Sequence, residues 1–249
     1  MRNVIICCVL SWFIVLPRLG FSEEAIDIGS LLEKRSKQYT LANYKRIWII
    51  SPPRTGSVLV FNVFRTLFED VNNIRENGFE STRTIVVKTH QMPIDYFHPE
   101  DIMIFVMRNP VDAIYSHTRI LNDYNYLIPH HMSYFTHLET LLKRNVNMVI
   151  LRYEDFVNDL RYLLEKIEHE FSMTIEESDK ELIMKALSKE NVLNYISKFK
   201  NFDHFDPGTS LHGKHIDTND PKRNDVLLKK RDIAQRLASY RHKFKKWNY

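Results

Sequence analysis

Short runs of β-branched and other apolar residues alternate with longer segments of helical spacing along most of this chain. The runs lie at 47–50, 84–88, 101–107 and 147–152. Each is followed by a polar break and then by a segment in which apolar residues recur every three or four positions, which is the spacing of one helix face. Strands and helices that alternate at this length predict a parallel sheet covered on both faces, that is, a doubly wound α/β fold.

The helical segments end less sharply than the strands. They are predicted at about 30–40, 57–69, 110–121, 133–144, 155–170, 176–200 with a break near Ser188, and 225–244.

The last predicted helix is basic, because Lys222 to Tyr249 contain ten Lys or Arg and two Asp, whereas the whole chain has a net charge of +4. We interpret its outer face as a solvated cationic surface, with contact to a membrane or an acidic partner as the alternative. We expect no nucleic-acid partner.

The N-terminal segment is typical of a secretory signal. Arg2 precedes an uncharged apolar run at 4–16, which is short for a membrane span, and small residues follow in Gly20-Phe21-Ser22. Both cysteines of the chain, Cys7 and Cys8, lie inside this run. Cleavage would therefore leave a mature chain without disulfides or cysteine ligands. A buried or membrane-docked helix, or an uncleaved anchor, is the alternative.

The remaining composition fits one globular domain. A chain of 249 residues with 44% hydrophobic residues has enough apolar side chains for one sizeable core, and six Gly and nine Pro leave no low-complexity linker. We therefore divide the chain into a signal peptide at 1–22, a helical segment at 23–44 and one domain at 45–249. The predicted location is the secretory pathway or outside the cell, or the membrane or cytoplasm if the apolar segment is not a signal.

The polar break after the first strand has the features of an anion-binding loop. Ser51-Pro52-Pro53-Arg54-Thr55-Gly56-Ser57 leads from a strand directly into a helix. Backbone N–H groups at a helix N-terminus point into such a loop, and Arg54, Thr55 and Ser57 add side-chain donors. A phosphate or sulfate group is the natural ligand. An ordinary strand-to-helix turn capped by Ser57 or Thr55 remains the alternative.

The other strand ends carry candidate chemistry as well. In open parallel sheets ligands bind beyond the carboxyl ends of the strands. Lys88 and His90 follow the second strand and would point to the same side of an extended backbone. Arg108 and Ser116 follow the third strand and are placed to bind a second anion, and Tyr153 offers an aromatic face after the fourth. Each of these side chains alone is more often structural than functional, and their joint occurrence is the signal.

Four elements of this chain resemble sulfotransferases that use 3′-phosphoadenylyl sulfate. They are Pro53-Arg54-Thr55-Gly56-Ser57, Lys88-Thr89-His90, the run from Arg108-Asn109-Pro110 to Ser116, and Arg152-Tyr153-Glu154-Asp155. They occur in the order seen in that family, and the resemblance spans about 45–247. It implies a fold like that of the P-loop nucleoside triphosphate hydrolases and sulfuryl transfer without a metal ion.

The resemblance also implies a role for each position. The 5′-phosphosulfate of the donor would be held by Arg54, Thr55, Gly56, Ser57 and Val58. The 3′-phosphate would be held by Arg108 and Ser116, with closure by a late loop that contains Gly213 and Lys214. Tyr153 would lie near the adenine, His90 would act as general base, and Arg54 and Lys88 would be the catalytic cations.

Three positions depart from the family pattern. Arg54 stands where many members have Lys, Val58 replaces a second hydroxyl residue, and His212-Gly213-Lys214 lacks the usual Arg-Lys-Gly order. The acceptor stays open between a small molecule, a glycan and a peptide, with a hydroxyl or an amine as the attacking group.

Two other classes of function are compatible with parts of the pattern. A P-loop kinase would need Gly-x-x-x-x-Gly-Lys followed by Ser or Thr, which the loop lacks. A non-catalytic module that binds a nucleotide or sulfate would need the anion loop and would have no use for a base at His90.

Overall fold

The computed structural model describes residues 39, 41, 44, 46–68, 85–91, 97–199, 204, 206, 208–213, 223–247 and 249. The predicted signal peptide, almost all of the predicted helix at 30–40, and Lys214 lie outside the described residues. Within the described part of the chain, no helix combines the length and the apolar character needed to cross a membrane.

A four-stranded parallel sheet forms the centre of the fold. Its strands are β1 (Arg46–Ile50), β2 (Ile85–Thr89), β3 (Asp101–Met107) and β4 (Met148–Arg152). They lie in the order β2-β1-β3-β4, with β1 paired in parallel with both β2 and β3. All four predicted strands are confirmed to within about one residue at their ends.

Helices flank this sheet in the order that the sequence predicts. They are α1 (Ser57–Phe68), α2 (Pro110–Thr118), α3 (Tyr124–Lys143), α4 (Tyr153–Phe156), α5 (Leu160–Phe171), α6 (Glu177–Ala186), α7 (Lys189–Ile196), α8 (Arg223–Arg236) and α9 (Arg241–Phe244). Short 3₁₀ turns follow at Ala238–Tyr240 and Lys245–Trp247. The predicted break near Ser188 is present, because its side chain accepts from the Asn191 N–H and caps α7.

Side-chain caps explain two differences between the predicted and observed helices. The predicted helix at 133–144 begins nine residues earlier, at Tyr124, because the Asp123 carboxylate accepts from the N–H groups of Asn125 and Tyr126. Pro129 lies in the second turn and costs this helix one backbone hydrogen bond. The predicted helix at 155–170 divides into α4 and α5, because Asp159 caps α5 through the Tyr162 N–H.

Alternation along β3 divides the core into two layers. All seven residues of β3 are buried. Ile102, Ile104 and Val106 pack in one layer with α1, α5, α6 and α7, whereas Met103 and Phe105 pack in the other with α2, α3, α8 and α9. A strand that is apolar on both sides belongs in a sheet covered on both faces. The doubly wound α/β fold is thereby confirmed.

The strand order fixes where the sheet can bind a ligand. The chain moves from β1 to β2 on one side and then crosses to β3 on the other side of β1. Because α1 and α2 pack on opposite faces, the loops that follow β1 and β3 diverge and leave a crevice between them. Such a switch point is the usual ligand site of a doubly wound sheet. It lies here between the loop at 51–56 and Arg108-Asn109.

Asp101, the first residue of β3, lies at the end of the sheet opposite to the candidate site and is fully buried. Its carboxylate accepts from Arg46 Nε at 2.9 Å, from Trp48 Nε1 at 3.0 Å and from the His98 N–H at 3.1 Å. These bonds tie β1 and the turn before β3 to the start of β3. Removal of the carboxylate would leave the partly buried side chains of Arg46 and Trp48 without this acceptor.

We predict that Asp101→Ala lowers the free energy of unfolding by about 2–4 kcal/mol, because the donors lose their charged partner. Urea denaturation followed by circular dichroism measures the loss. Asp232→Ala is the matched control, since Asp232 pairs with Arg236 at 3.1 Å with both side chains nearly half exposed. The control should change the free energy by less than about 1 kcal/mol. Equal effects of the two substitutions would contradict the prediction.

Candidate functional site

The loop between β1 and α1 is a tight turn held by its own polar groups. Thr55 is buried and its hydroxyl donates to the Pro52 carbonyl at 2.9 Å. Arg54 and Gly56 have positive φ angles of 67° and 84°. The Gly56 carbonyl accepts from the N–H groups of residues 59 and 60 and so begins α1. The first N–H groups of α1 have no acceptor within the helix, and this makes the turn a candidate anion-binding position.

Gly56 lets this loop touch the end of β4. A Cβ atom at Gly56 would lie 2.4 Å from Cδ2 and 2.8 Å from Cε2 of the Tyr153 ring. Tyr153 begins α4 directly after β4 and stacks edge-on against Phe156. The glycine is required both by its positive φ and by the aromatic ring beside it.

Two guanidinium groups converge where the loop meets the ends of β3 and β4. Arg54 Nε donates to Ser116 Oγ at 3.1 Å, and an Arg108 terminal nitrogen donates to the Arg54 carbonyl at 3.1 Å. The Arg108 guanidinium also lies 4.3 Å from the centre of the Tyr153 ring. Burial, and then the positive charge of Arg108, lower the pKa of Arg54. The four predicted residues Arg54, Arg108, Ser116 and Tyr153 thus form one cluster with concentrated positive charge.

His90 is fixed to the same loop from the β2 side. Its Nδ1 lies 2.9 Å from the Ser51 carbonyl. Because a carbonyl only accepts, Nδ1 carries the proton, and Nε2 is left with a lone pair. Lys88 Nζ lies 3.4 Å from that Nε2. Tyr134 of α3 donates to the backbone carbonyl of His90 and so holds the segment in place.

The charge state of these two side chains follows from their surroundings. His90 has an exposed edge, but the protein atoms around the rest of the ring, followed by the charge of Lys88, lower its pKa to about 4. Burial lowers the pKa of Lys88. His90 is therefore neutral at pH 7, and its Nε2 is available as a proton acceptor.

A carboxylate holds the Arg108 loop at its position. Glu154 accepts from the Asn109 N–H at 2.7 Å through one oxygen and from the Tyr249 hydroxyl at 2.9 Å through the other. The Asn109 side chain accepts from the Val111 N–H at 3.0 Å and caps α2. The start of the helix that carries Ser116 is thereby linked to the end of β4.

Histidines that the sequence did not single out lie beside the site. His117 Nδ1 and His131 Nε2 are 3.1 Å apart and join α2 to α3. His130 stacks on Tyr126 with ring centres 5.2 Å apart, and its ring meets Tyr134 edge-on. No spacing along the chain signals the His117–His131 contact, because these two residues come from separate helices, whereas His130 lies four residues from both Tyr126 and Tyr134 on α3.

The remaining predicted residues are placed as follows. Ser57 is buried in the first turn of α1, and Val58 is half-buried next to it. Gly213 lies in a described segment at 208–213, which approaches the first turns of α1, whereas Lys214 is outside the described residues. In the described part of the chain, no group of three or more His, Cys, Asp or Glu could hold a metal ion.

Known sulfotransferase structures are similar to this chain at low sequence identity. No family model matches the chain, and no curated protein matches it. Among solved structures, mouse sulfotransferase SULT7A1 complexed with PAP is similar at 15% identity and a TM-score of 0.46, over 86% of this chain and 92% of that one. Retinol dehydratase in complex with androsterone and inactive cofactor PAP is similar at 12% identity and a TM-score of 0.45, over 85% and 84%.

A third similar structure is the sulfotransferase domain of the Synechococcus PCC 7002 olefin synthase, with 15% identity and a TM-score of 0.41, over 80% of this chain and 98% of that one. All three TM-scores are below 0.5. No role of an individual residue is therefore transferred from these structures to this chain. Any chemistry must follow from the side chains of this chain.

We predict that Gly56→Ala lowers the free energy of unfolding by about 2–4 kcal/mol, since it combines an unfavourable φ with a clash against the Tyr153 ring. Chemical denaturation measures the change. Gly208→Ala is the control, because its Cβ would meet only the Asp206 side chain, whose nearest atom is Oδ1 at 3.2 Å. We expect this control to cost less than about 1 kcal/mol.

A double-mutant cycle separates the two causes. In a Tyr153→Ala background the clash is removed and only the backbone cost remains, so Gly56→Ala should be less destabilising there than in the native chain. An unchanged cost in that background would show that the ring does not constrain the loop.

We predict that acidification weakens the fold between about pH 6.5 and pH 4 through the His117–His131 pair. Burial comes first among the causes that lower the pKa of His117 to about 4 and of His131 to about 3. The unfolded chain therefore binds protons that the folded chain excludes, and stability is lost as the pH falls through this window. For His131 the slope is at most about 1.4 kcal/mol per pH unit.

The slope is measured by denaturant titrations at a series of pH values. His131→Gln should flatten it, because the amide does not titrate but is still able to hydrogen bond to His117. The same slope in the native chain and in His131→Gln would contradict the prediction.

Proposed function

We propose that the protein is a sulfotransferase that moves the sulfuryl group of 3′-phosphoadenylyl sulfate to a hydroxyl or amine acceptor. One observation carries the proposal: the anion loop that holds Arg54 also supplies, from Ser51, the carbonyl that orients His90 at 2.9 Å. A proton acceptor and an anion-binding helix N-terminus are therefore built on one turn. The low-identity structural likenesses add the fold and nothing finer.

The donor has two separated anionic groups, and the site offers two positions for them. The 5′-phosphosulfate would lie on the N-terminus of α1, with bonds to the backbone of 55–58 and to Arg54. The 3′-phosphate would lie against Arg108 and Ser116. Donor binding would replace the 3.1 Å bond between Arg54 and Ser116 by bonds to phosphate oxygens. The Arg108 guanidinium already lies over the face of the Tyr153 ring, and this ring would lie beside the adenine of the donor.

The proposed reaction is an in-line transfer. The acceptor oxygen or nitrogen forms a bond to sulfur while the bond from sulfur to the bridging oxygen breaks, and the acceptor proton passes to His90 Nε2. By analogy with phosphoryl transfer, charge gathers on the leaving phosphate oxygen. Arg54 and the helix N-terminus stabilise that charge, and Lys88 lies beside the transferred group. The products are the sulfated acceptor and adenosine 3′,5′-bisphosphate.

His90 has the orientation that this step requires. The bond from Nδ1 to the Ser51 carbonyl leaves Nε2 as the acceptor and stabilises the imidazolium after proton transfer. A module that only binds a nucleotide has no need of such an arrangement, and this favours an enzyme over the binding alternative. A kinase-like phosphotransferase is less well supported, because the loop offers Arg54 in place of a P-loop lysine followed by Ser or Thr.

We predict that His90→Ala lowers kcat for transfer of labelled sulfate by about 10²–10⁴-fold while binding of adenosine 3′,5′-bisphosphate persists. Transfer is measured from labelled 3′-phosphoadenylyl sulfate to a panel of phenols, alcohols, sugars and amines, and binding by thermal shift. His169→Ala is the matched control, since the His169 side chain is 81% exposed on α5. It should leave both measurements unchanged.

Arg108→Ala tests the nucleotide site separately. It should abolish the thermal shift by adenosine 3′,5′-bisphosphate, because the guanidinium is the proposed partner of the 3′-phosphate. Binding that persists in Arg108→Ala would overturn the assignment of that site. Nucleotide binding by the native chain without transfer to any acceptor of the panel would favour the binding module. A shift by ATP alone, with phosphate transfer, would favour the kinase.

A further inference from the structure

An aspartate organises the segment that ends in His212. The Asp206 side chain accepts from the Gly208 N–H at 2.8 Å, from the Thr209 hydroxyl at 2.8 Å and from the Tyr195 hydroxyl of α7. Its backbone carbonyl accepts from Ser210 at 2.8 Å, and its N–H donates to the Leu211 carbonyl at 2.9 Å. Asp206 and residues 208–211 are thus joined in a closed turn that is attached to α7.

A second attachment brings this turn to the anion loop. The Asn62 side-chain amide donates to the Thr209 carbonyl at 3.0 Å and to the Val58 carbonyl at 2.9 Å. Both Thr209 and Leu211 are buried, and Leu211 packs in the same core layer as α1. The turn therefore lies against the first two turns of α1, and His212 is the next residue along the chain.

His212 is under the electrostatic influence of two cations of the candidate site, Arg54 and Lys88. After burial, the positive charges of Arg54 and then Lys88 contribute to lowering its pKa to about 4. These two cations come from the loop after β1 and from the end of β2. Arg54 and Lys88 thus act electrostatically on His212, and an anion bound near the three side chains would relieve their mutual repulsion.

We infer that His212 is a further ligand of the transferred sulfuryl group and donates a ring N–H to one of its oxygens. The inference rests on the proposed function, in which Arg54 and Lys88 hold the phosphosulfate. It assigns this segment to the sulfuryl end of the donor, whereas the sequence resemblance assigned Gly213 and Lys214 to the 3′-phosphate. The negative charge of the donor would favour the protonated imidazole, so the bond becomes charge-assisted.

The donor and its product provide a sharp test, because they differ at the sulfuryl group. Isothermal titration compares the affinity of each for the native chain and for His212→Ala. We expect His212→Ala to bind 3′-phosphoadenylyl sulfate roughly ten- to a hundredfold more weakly, the effect of one charge-assisted hydrogen bond. Its affinity for adenosine 3′,5′-bisphosphate should stay within about twofold of the native value.

Two further variants guard against a general disturbance. His212→Asn keeps an N–H donor without the charge and should lie between the native chain and His212→Ala for the donor. The exposed His169 on α5 supplies the control His169→Ala, which should bind both nucleotides like the native chain. Thermal unfolding of each variant checks that the fold is retained.

The outcomes separate this inference from the proposed function. Equal losses for donor and product in His212→Ala, or no loss for either, would overturn the inference and leave the sulfotransferase proposal standing. A native chain that binds neither nucleotide would overturn the proposed function and this inference with it. Selective loss of the donor, graded through His212→Asn, is the result that supports it.

Discussion

The turn between β1 and α1 is the constraint on which the site depends, because residues at the ends of all the other strands touch it. His90 reaches the Ser51 carbonyl from β2, and Arg108 reaches the Arg54 carbonyl from β3. Tyr153 packs against Gly56 from β4. β1 lies inside the sheet between β2 and β3, and its loop contacts residues that follow β2, β3 and β4. A change in this turn would therefore disturb the positions of His90, Arg108 and Tyr153 together.

The same turn brings together charges that repel one another. Burial lowers the pKa of Arg54, Lys88 and His90, and neighbouring positive charges lower it further for Arg54 and His90. Burial of like charges costs free energy that the surrounding core has to offset. Backbone carbonyls of the loop offset part of this cost, since they accept from Arg108 and His90. An anionic ligand would offset more, which is why clusters of perturbed cations tend to mark functional sites.

Sequence reasoning succeeded where the determining contacts are local or periodic. The alternation of β3 between two apolar layers follows from a run that is apolar throughout, and residues at the ends of parallel strands meet at one edge because of the topology. It failed at α3, whose start depends on the Asp123 cap, and at the His117–His131 pair, which joins two helices. It also gave no sign of the link between Glu154 and Asn109, which depends on how β4 lies beside β3. Such contacts depend on packing between elements, which spacing along the chain does not encode.

The low pKa of His90 links the base to the donor under the proposed function. Without an anion, Lys88 and the surrounding protein atoms favour the neutral imidazole, so Nε2 has a lone pair at pH 7 but holds a proton weakly. Phosphosulfate beside Lys88 and Arg54 would cancel much of the positive field and raise the proton affinity of Nε2. Because a general base works best when its pKa lies near the working pH, the base would reach full strength only when the donor is in place. Under the proposed function, the cations that bind the donor would thus also make His90 a competent base only after the donor has bound.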